Sequence, residues 1–310
     1  MVGTRGSALA RRQTSCVVQL LRAAWPGVEC EERPIVTEGD RTQRSGEPLP
    51  EIGGKGLFTA ELEQRLRAGE LDLAVHSLKD LPTEEAPGIV VGAVCLREDV
   101  RDCLVSRDGL TLTELPAGAV VGTSSLRRTA QLRALRADLE VRSIRGNVDT
   151  RIRKVRDGEF GAAVLAAAGV KRLGLDGEVA EWLSADIMLP APGQGAIAVQ
   201  CRADDDRVLE LLAAFDDLDA RAATTAERAF LRELGGGCAA PVAAHAERAD
   251  DHAGDDQLQG RLRLRGLVAS PDGCQVVRVA GEGTPEEVGR RLALEALAAG
   301  ADRILRDIRG

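Results

Sequence analysis

Over the first two hundred positions, short runs that alternate apolar and polar residues are separated by stretches in which apolar residues recur every three or four. This alternation of two periods predicts an α/β fold. Phe58, Leu62 and Leu66 stand four apart and predict a helix over 58–68. Leu71, Leu73 and Val75 then alternate as a strand, which ends just before Lys79 and Asp80. Open α/β sheets bind ligands beyond the carboxyl ends of their strands, so these two charged residues stand at a favoured place for chemistry.

A second unit begins near residue 101. "AVVGTSSLRRTAQLRAL" reads as a strand, three capping hydroxyls (Thr123, Ser124, Ser125) and a helix carrying Leu126, Leu132 and Leu135. "LEVRSIRGNVDTRIRKV" repeats the plan, with a strand to about Ile144, Gly146 and Asn147 as turn and cap, and a helix faced by Val148, Ile152 and Val155. A further strand is expected near 162–166. "LPAPGQGAIAV" (189–199), rich in Pro and Gly, reads as a crossing between lobes.

The last ninety residues differ. "RLRLRGLVASPDGCQVVRV" alternates as two strands about a Pro-Asp-Gly turn, a hairpin pattern. "TPEEVGRRLALEALAAG" opens with Thr284 as N-cap, Pro285 at the first helical position and Glu287 completing a capping box. The acidic stretch from Glu247 to Asp256 is expected to be a solvated loop.

Composition narrows the functional classes. The chain has 310 residues, enough for two or three domains, and no Tyr, two Trp and four Phe, so its cores rest on Ala, Leu and Val. Few aromatics and a net charge of −8 disfavour nucleic-acid platforms. Seven cysteines without a CxxC pair suit a reducing compartment, and a cytoplasmic location is expected. No apolar run approaches the ~18 residues of a membrane-spanning helix.

Charge is unevenly spread. Between Val121 and Arg172 there are twelve basic and five acidic residues, about +7 within a negative chain. Polar helix faces account for Arg133, Arg136, Arg153 and Arg156. They account less well for Arg127, Arg128, Arg145 and Arg151, which fall at strand-to-helix turns where free N–H groups and the helix dipole favour an anion. Guanidinium forks there suit carboxylates or phosphates. "GGKG" (53–56) lacks the P-loop spacing and no GxGxxG follows a strand, which leaves a carboxylate-rich ligand. His76, His245 and His252 show no metal-ligand spacing, so no metal is expected. Asp80 is either a plain ion-pair partner in its turn or a carboxylate that stabilises a developing cation. Cys238, in "LGGGCAAP", is either a small buried turn residue or a reactive thiol.

The ordered motifs "GTRGSALA", "TEGD", "GGKGLF", "AVHSLKDLP", "REDVRDCLVS", "VGTSSLRR", "RSIRGNVDTR", "GVKRLGL", "LPAPGQGA", "TTAERAFLRELGGGCAAP" and "SPDG" cover nearly the whole chain. Together they resemble the hydroxymethylbilane synthase, or porphobilinogen deaminase, family. The resemblance implies an enzyme that joins four porphobilinogen units head to tail with loss of ammonia, on a dipyrromethane cofactor held by a thioether to Cys238, and then releases hydroxymethylbilane by hydrolysis. It implies an α/β fold of three domains. The first two, 1–96 plus 195–216 and 101–190, resemble bilobal type II periplasmic binding proteins, and the third, 219–310, is a small α+β domain carrying the cofactor cysteine.

By the same resemblance Asp80 is the catalytic residue. The cofactor would be held by Cys238, Asp80, Lys79, Ser77, Thr123, Ser125, Arg127, Arg128, Arg145 and Gly146. The substrate would meet Arg5, Ser7, Lys55, Phe58, Ser124, Arg145, Arg151, Arg172 and Gln194, with Lys55 and Phe58 near the end of a mobile cover. The partner is porphobilinogen, with no nucleic acid and no membrane, and a monomer is expected. Only Met1, Val2 and Gly3 precede Thr4, where the family usually has an apolar strand, so the expectation is either a clipped first strand or an imperfectly assigned chain start. Ala239 and Ala240 replace a bulkier pair beside the thiol. Asp149 stands where the family commonly has Gly and is expected to pair with a neighbouring arginine. Two other classes share part of the pattern: a non-catalytic bilobal binding protein for polycarboxylates or phosphates, which leaves Asp80 and the GGGC stretch unused, and a thiol acyltransferase using Cys238 with His245.

Overall fold

The computed structural model describes residues 1–39, 59–237, 240–249 and 260–309. The chain opens with β1 (Val2–Arg5), α1 (Ala8–Ala24), β2 (Glu32–Ile35), α2 (Ala60–Arg67), β3 (Leu73–Ser77) and β4 (Ile89–Cys95). Then come β5 (Asp102–Ser106), β6 (Val120–Gly122), α3 (Leu126–Leu135), β7 (Glu140–Arg142), α4 (Val148–Arg156), β8 (Ala162–Ala166), α5 (Ala167–Arg172) and β9 (Glu181–Leu183). The remainder comprises β10 (Ile197–Arg202), α6 (Asp206–Ala213), α7 (Leu218–Glu233), β11 (Val242–Arg248), β12 (Leu262–Ala269), β13 (Val276–Gly283), α8 (Pro285–Ala296) and α9 (Asp302–Arg309).

Two five-stranded sheets share one plan. The first has the order β2-β1-β3-β10-β4 and the second β7-β6-β8-β5-β9. In each, three strands run parallel and the fourth is antiparallel to both neighbours: β10 against β3 and β4, β5 against β8 and β9. Each antiparallel strand is delivered by a crossing from the other lobe. Residues 96–101 carry the chain out to β5, and residues 190–196 bring it back to β10, as the Pro/Gly pattern predicts. β1 is short but pairs with both β2 and β3.

Packing follows the sequence periods. α1 lays Val17, Val18 and Leu21 on Val2, Leu73 and Val75, each buried apolar side chain contributing roughly 1.5–3 kcal/mol. A separate core joins α7 and α8 to the three-stranded sheet β11-β12-β13, centred on the fully buried Phe230. Gly266 of β12 lies under that ring, and a Cβ there would fall 2.5 Å from its edge.

Several local expectations are corrected. The predicted capping box of α8 is not formed, because Thr284 Oγ1 donates to Glu287 Oε2 at 3.0 Å and no side chain caps the backbone. Ser125 and Asn147 hold N-cap positions without a side-chain cap bond. β7 stops at Arg142, two residues short of the expectation, and Ile144 is buried under β6 by the turn itself. Glu247 and Arg248 belong to strand β11, not to a loop. Asp149 is exposed in the first turn of α4, where the helix dipole favours it, and makes no ion pair among the described residues.

Candidate active site

The carboxyl ends of β1, β3 and β8 point into the space between the lobes. They frame a cleft of about 220 Å³. Lobe 1 contributes Arg5 from the end of β1, Ser7 as the N-cap of α1, Ser77 at the end of β3, and Lys79 and Asp80 from the tight turn Leu78–Asp80. Lobe 2 contributes Arg128 from α3, Gly146 and Arg151 at the start of α4, and Arg172 at the end of α5. Five cations thus share the lining of the cleft with one carboxylate, Asp80.

Burial tunes these cations. Lys79 is pulled down to about 8, first by burial and then by Arg128, against the opposing pull of Asp80 and Asp102. Arg151 falls to about 10, again by burial first and Arg128 second. Its Nε donates to Gly146 O at 2.8 Å, which ties the guanidinium to the turn before α4. Gly146 has φ +110°, and a Cβ would lie 2.6 Å from Thr150 Cγ2, so only glycine suits this turn. Arg172 Nη2 donates to Leu96 O and Gly195 O, both at 2.7 Å, and so joins lobe 2 to both crossings.

A buried network stands behind the cleft. Asp102 is fully buried at the start of β5 and accepts from Arg127 Nη1, Arg128 Nη2 and Gln194 Nε2, each at 2.8 Å. Burial alone would raise its carboxyl, but Arg127 and Arg128 outweigh it and hold the group well below the usual carboxylate range. Gln194 in turn accepts from Lys79 Nζ at 3.2 Å. A chain of polar contacts therefore runs from Lys79 in lobe 1 to Arg128 in lobe 2.

Not every predicted residue reaches the cleft. Arg127 lies behind it with its Nη1 shared between Asp102 and Leu189 O. Gln194 is fully buried within the same network. Thr123 Oγ1 accepts from Ser125 N, while Ser124 Oγ donates to Ile144 O, so these hydroxyls hold the β6–α3 turn together. Ser125 and Arg145 are half-buried near that turn and do not line the cleft. Lys55, Phe58 and Cys238 lie outside the described residues.

Three residues not assigned to the site from sequence line or support it. Gln13 donates Nε2 to Ser77 Oγ at 2.9 Å and lines the cleft from α1. His76, 5% exposed, lines the same wall with no partner for Nε2, and burial, reinforced by Arg5, pulls its imidazole down to about 4. Asp102 is the third, and a lone acid opening the apolar run "DCLVS" was the available signal. Among the described residues no group of His, Cys, Asp or Glu is arranged to hold a metal. Cys95 and Cys103 are pushed up to about 12 by burial, which makes them poor nucleophiles.

The glycines before Cys238 are partly explained by the helix they follow. Gly235 takes φ +62° just after α7, with Gly236 N donating to Leu231 O and Gly235 N to Arg232 O. This is a Schellman ending, and glycine at its left-handed position avoids the Cβ penalty.

Fold and site together define a bilobal ligand-binding architecture with a cationic interlobe cleft and an added α+β domain. Comparison with known proteins makes the class specific. Residues 1–210 match the family model described as porphobilinogen deaminase, dipyromethane cofactor binding domain, and residues 221–298 match porphobilinogen deaminase, C-terminal domain. Proteins named porphobilinogen deaminase from Brevibacillus brevis, Roseiflexus sp. and Mycolicibacterium gilvum are 47%, 49% and 49% identical, over 99%, 98% and 100% of this chain and 96%, 98% and 98% of their own. Among solved structures, the BvgS VFT2 domain of Bordetella pertussis aligns at 19% identity over 69% of this chain and 83% of its own, with a TM-score of 0.40. The chain belongs to the porphobilinogen deaminase family. It is a transferase of tetrapyrrole synthesis, with porphobilinogen as its family substrate and a dipyrromethane cofactor. No described helix is long and apolar enough to cross a membrane.

Proposed function

We propose that the interlobe cleft is where porphobilinogen is condensed, that Asp80 is its catalytic carboxylate and that Cys238 carries the dipyrromethane. The observation behind this reading is that Arg5, Lys79, Arg128, Arg151 and Arg172 line one cleft together with Asp80. Each pyrrole unit brings an acetate and a propionate, so a two-ring cofactor presents carboxylates that these cations match in charge and in forked geometry. The donor set therefore fits the group. When bound, the dipyrromethane supplies the free pyrrole carbon to which the first unit is joined.

The chain's own residues then have distinct tasks. Arg128 and Arg151 hold carboxylates from lobe 2, and Arg5, Ser7 and Lys79 hold them from lobe 1. Arg172 binds at the hinge edge, while Arg127 and Gln194 keep Asp102 and the cations in register from behind. Asp80 accepts hydrogen bonds from pyrrole N–H groups. Its negative charge stabilises the cation that develops at the methylene carbon of porphobilinogen as the C–N bond breaks and the amino group leaves as ammonia. Sequence boundaries of 1–96 plus 195–216, 101–190 and 219–310 for the three domains, a monomeric state and a cytoplasmic location complete the proposal.

Intact-protein mass tests the tether. The purified protein should exceed its sequence mass by two pyrrole units, and Cys238→Ala should remove the excess. An unmodified mass in protein that consumes porphobilinogen would overturn the thioether assignment. Asp80→Asn should fold normally and lower turnover by roughly 10²–10⁴-fold; undiminished turnover would remove Asp80 from the mechanism.

A further inference from the structure

A second, open groove of about 670 Å³ lies beside the cleft and shares Arg172 with it. The N-terminal half of α1 forms the partition. Ser7, Ala10 and Gln13 face the cleft, whereas Arg11, Arg12 and Ser15 face the groove. Lobe 2 closes the opposite side with Lys171 and Arg172, and Glu32 is the one acidic residue among the lining side chains. Lys171 is held in place by Asp99 at 3.0 Å and by the ring of Trp182. Arg11 and Arg12 are exposed, and neither side chain has an acidic partner among the described residues.

Volume and charge give this groove a use. The inner cleft, about 220 Å³, is smaller than the roughly 300–1,000 Å³ typical of a pocket enclosing one drug-sized ligand. Asp80 is fixed in a tight turn between β3 and its neighbours, so each ring must move off it once joined. The rings that leave carry two carboxylates each and repel one another without cationic partners. The adjoining groove has the space, and the exposed guanidinium groups of Arg11 and Arg12 have the sign.

We propose that this groove is a second carboxylate-binding site, which seats the acetate and propionate side chains of rings displaced from Asp80 late in elongation. The inference rests on the reading of the inner cleft as the condensation site. Its test is rapid mixing of the cofactor-loaded protein with porphobilinogen, followed by intact-mass resolution of protein carrying one, two or three added units. In the double variant R11Q/R12Q, the rate of the third addition relative to the first should fall about three- to tenfold, the scale of two exposed ion pairs. R11K/R12K should restore the ratio, and added salt should lower it in the unsubstituted protein. Thermal melting checks that both variants fold.

An unchanged ratio overturns the proposal. So does equal slowing of every addition, including the first, because that places the two arginines in capture of free porphobilinogen. Failure of the underlying reading looks different: Asp80→Asn would then form every added-unit species at the rate of the unsubstituted protein.

Discussion

Arg128 Nη2 donates to Asp102 Oδ1 at 2.8 Å, and neither side chain is more than 8% exposed. The same carboxylate takes Arg127 on its other oxygen, so one buried negative charge balances two buried positive ones. Removing it leaves both guanidinium groups desolvated without a counter-charge. Asp102→Ala should therefore cost about 3–5 kcal/mol in urea unfolding, and Asp102→Asn less. Because the folded carboxyl lies below its unfolded value of about 3.9, its contribution is present above that pH and is lost as pH falls through the folded value. Stability of the unsubstituted protein should drop below about pH 4, and the drop should flatten in Asp102→Asn.

Lys79 leads to a prediction at the other end of the pH range. Its ammonium is pulled down from 10.5 to about 8, first by burial and then by Arg128. Between these values the unfolded chain holds a proton that the folded one has released, so this residue makes stability rise with pH across that window. Carboxylate binding should move the opposite way. The KM for porphobilinogen should increase from pH 8 upward as the cleft loses a cation, and Lys79→Arg should push this rise to higher pH, since a guanidinium stays charged. A KM that is flat to pH 10 in the unsubstituted protein would separate Lys79 from substrate binding.

The sequence pattern made the two lobes and the hairpin readable because each buries a face with a clean period of two or nearly four. Val148, Ile152 and Val155 face inward on α4 as their spacing requires. Cation placement was half legible. Arg127 and Arg128 are neighbours in the first turn of α3, and sequence treats them alike, yet about 100° of helical rotation turns one toward the cleft and the other behind it. Asp102 and Gln194 escaped as partners because they stand 92 residues apart and meet only when the chain crosses between lobes twice. Thr284 and Glu287 have capping-box spacing, but their side chains bond to each other, a choice that spacing alone does not decide.

The crossings themselves are held at one glycine. Gly195 takes φ +90°, and a Cβ there would lie 2.3 Å from Glu98 O, the backbone of the neighbouring crossing. Gly195 O also accepts from Glu98 N at 3.1 Å and from Arg172. Gly195→Ala must strain the backbone and part the two strands, a combination expected to cost upward of about 1–3 kcal/mol. Chemical denaturation measures it, and a variant as stable as the parent would mean that the crossings separate freely.

Glu227 of α7 ties the third domain to this hinge. It is fully buried, and Oε1 accepts from Arg97 Nη2 at 2.6 Å and Ala246 N at 2.9 Å, while Oε2 accepts from Gly193 N at 2.8 Å. One side chain thus joins strand β11 to both crossings. In Glu227→Gln the amide NH₂ must face at least one of these donors, and Arg97 loses its counter-charge. A loss of about 3–5 kcal/mol is expected, concentrated at the junction and not spread over the molecule. Hydrogen exchange should quicken at the amides of Gly193 and Ala246 before it does in the lobe cores. Because Cys238 follows α7 by a few residues, cofactor loading should slow in the same variant. Exchange at those two amides unchanged from the parent would mean that Glu227 does not orient the third domain.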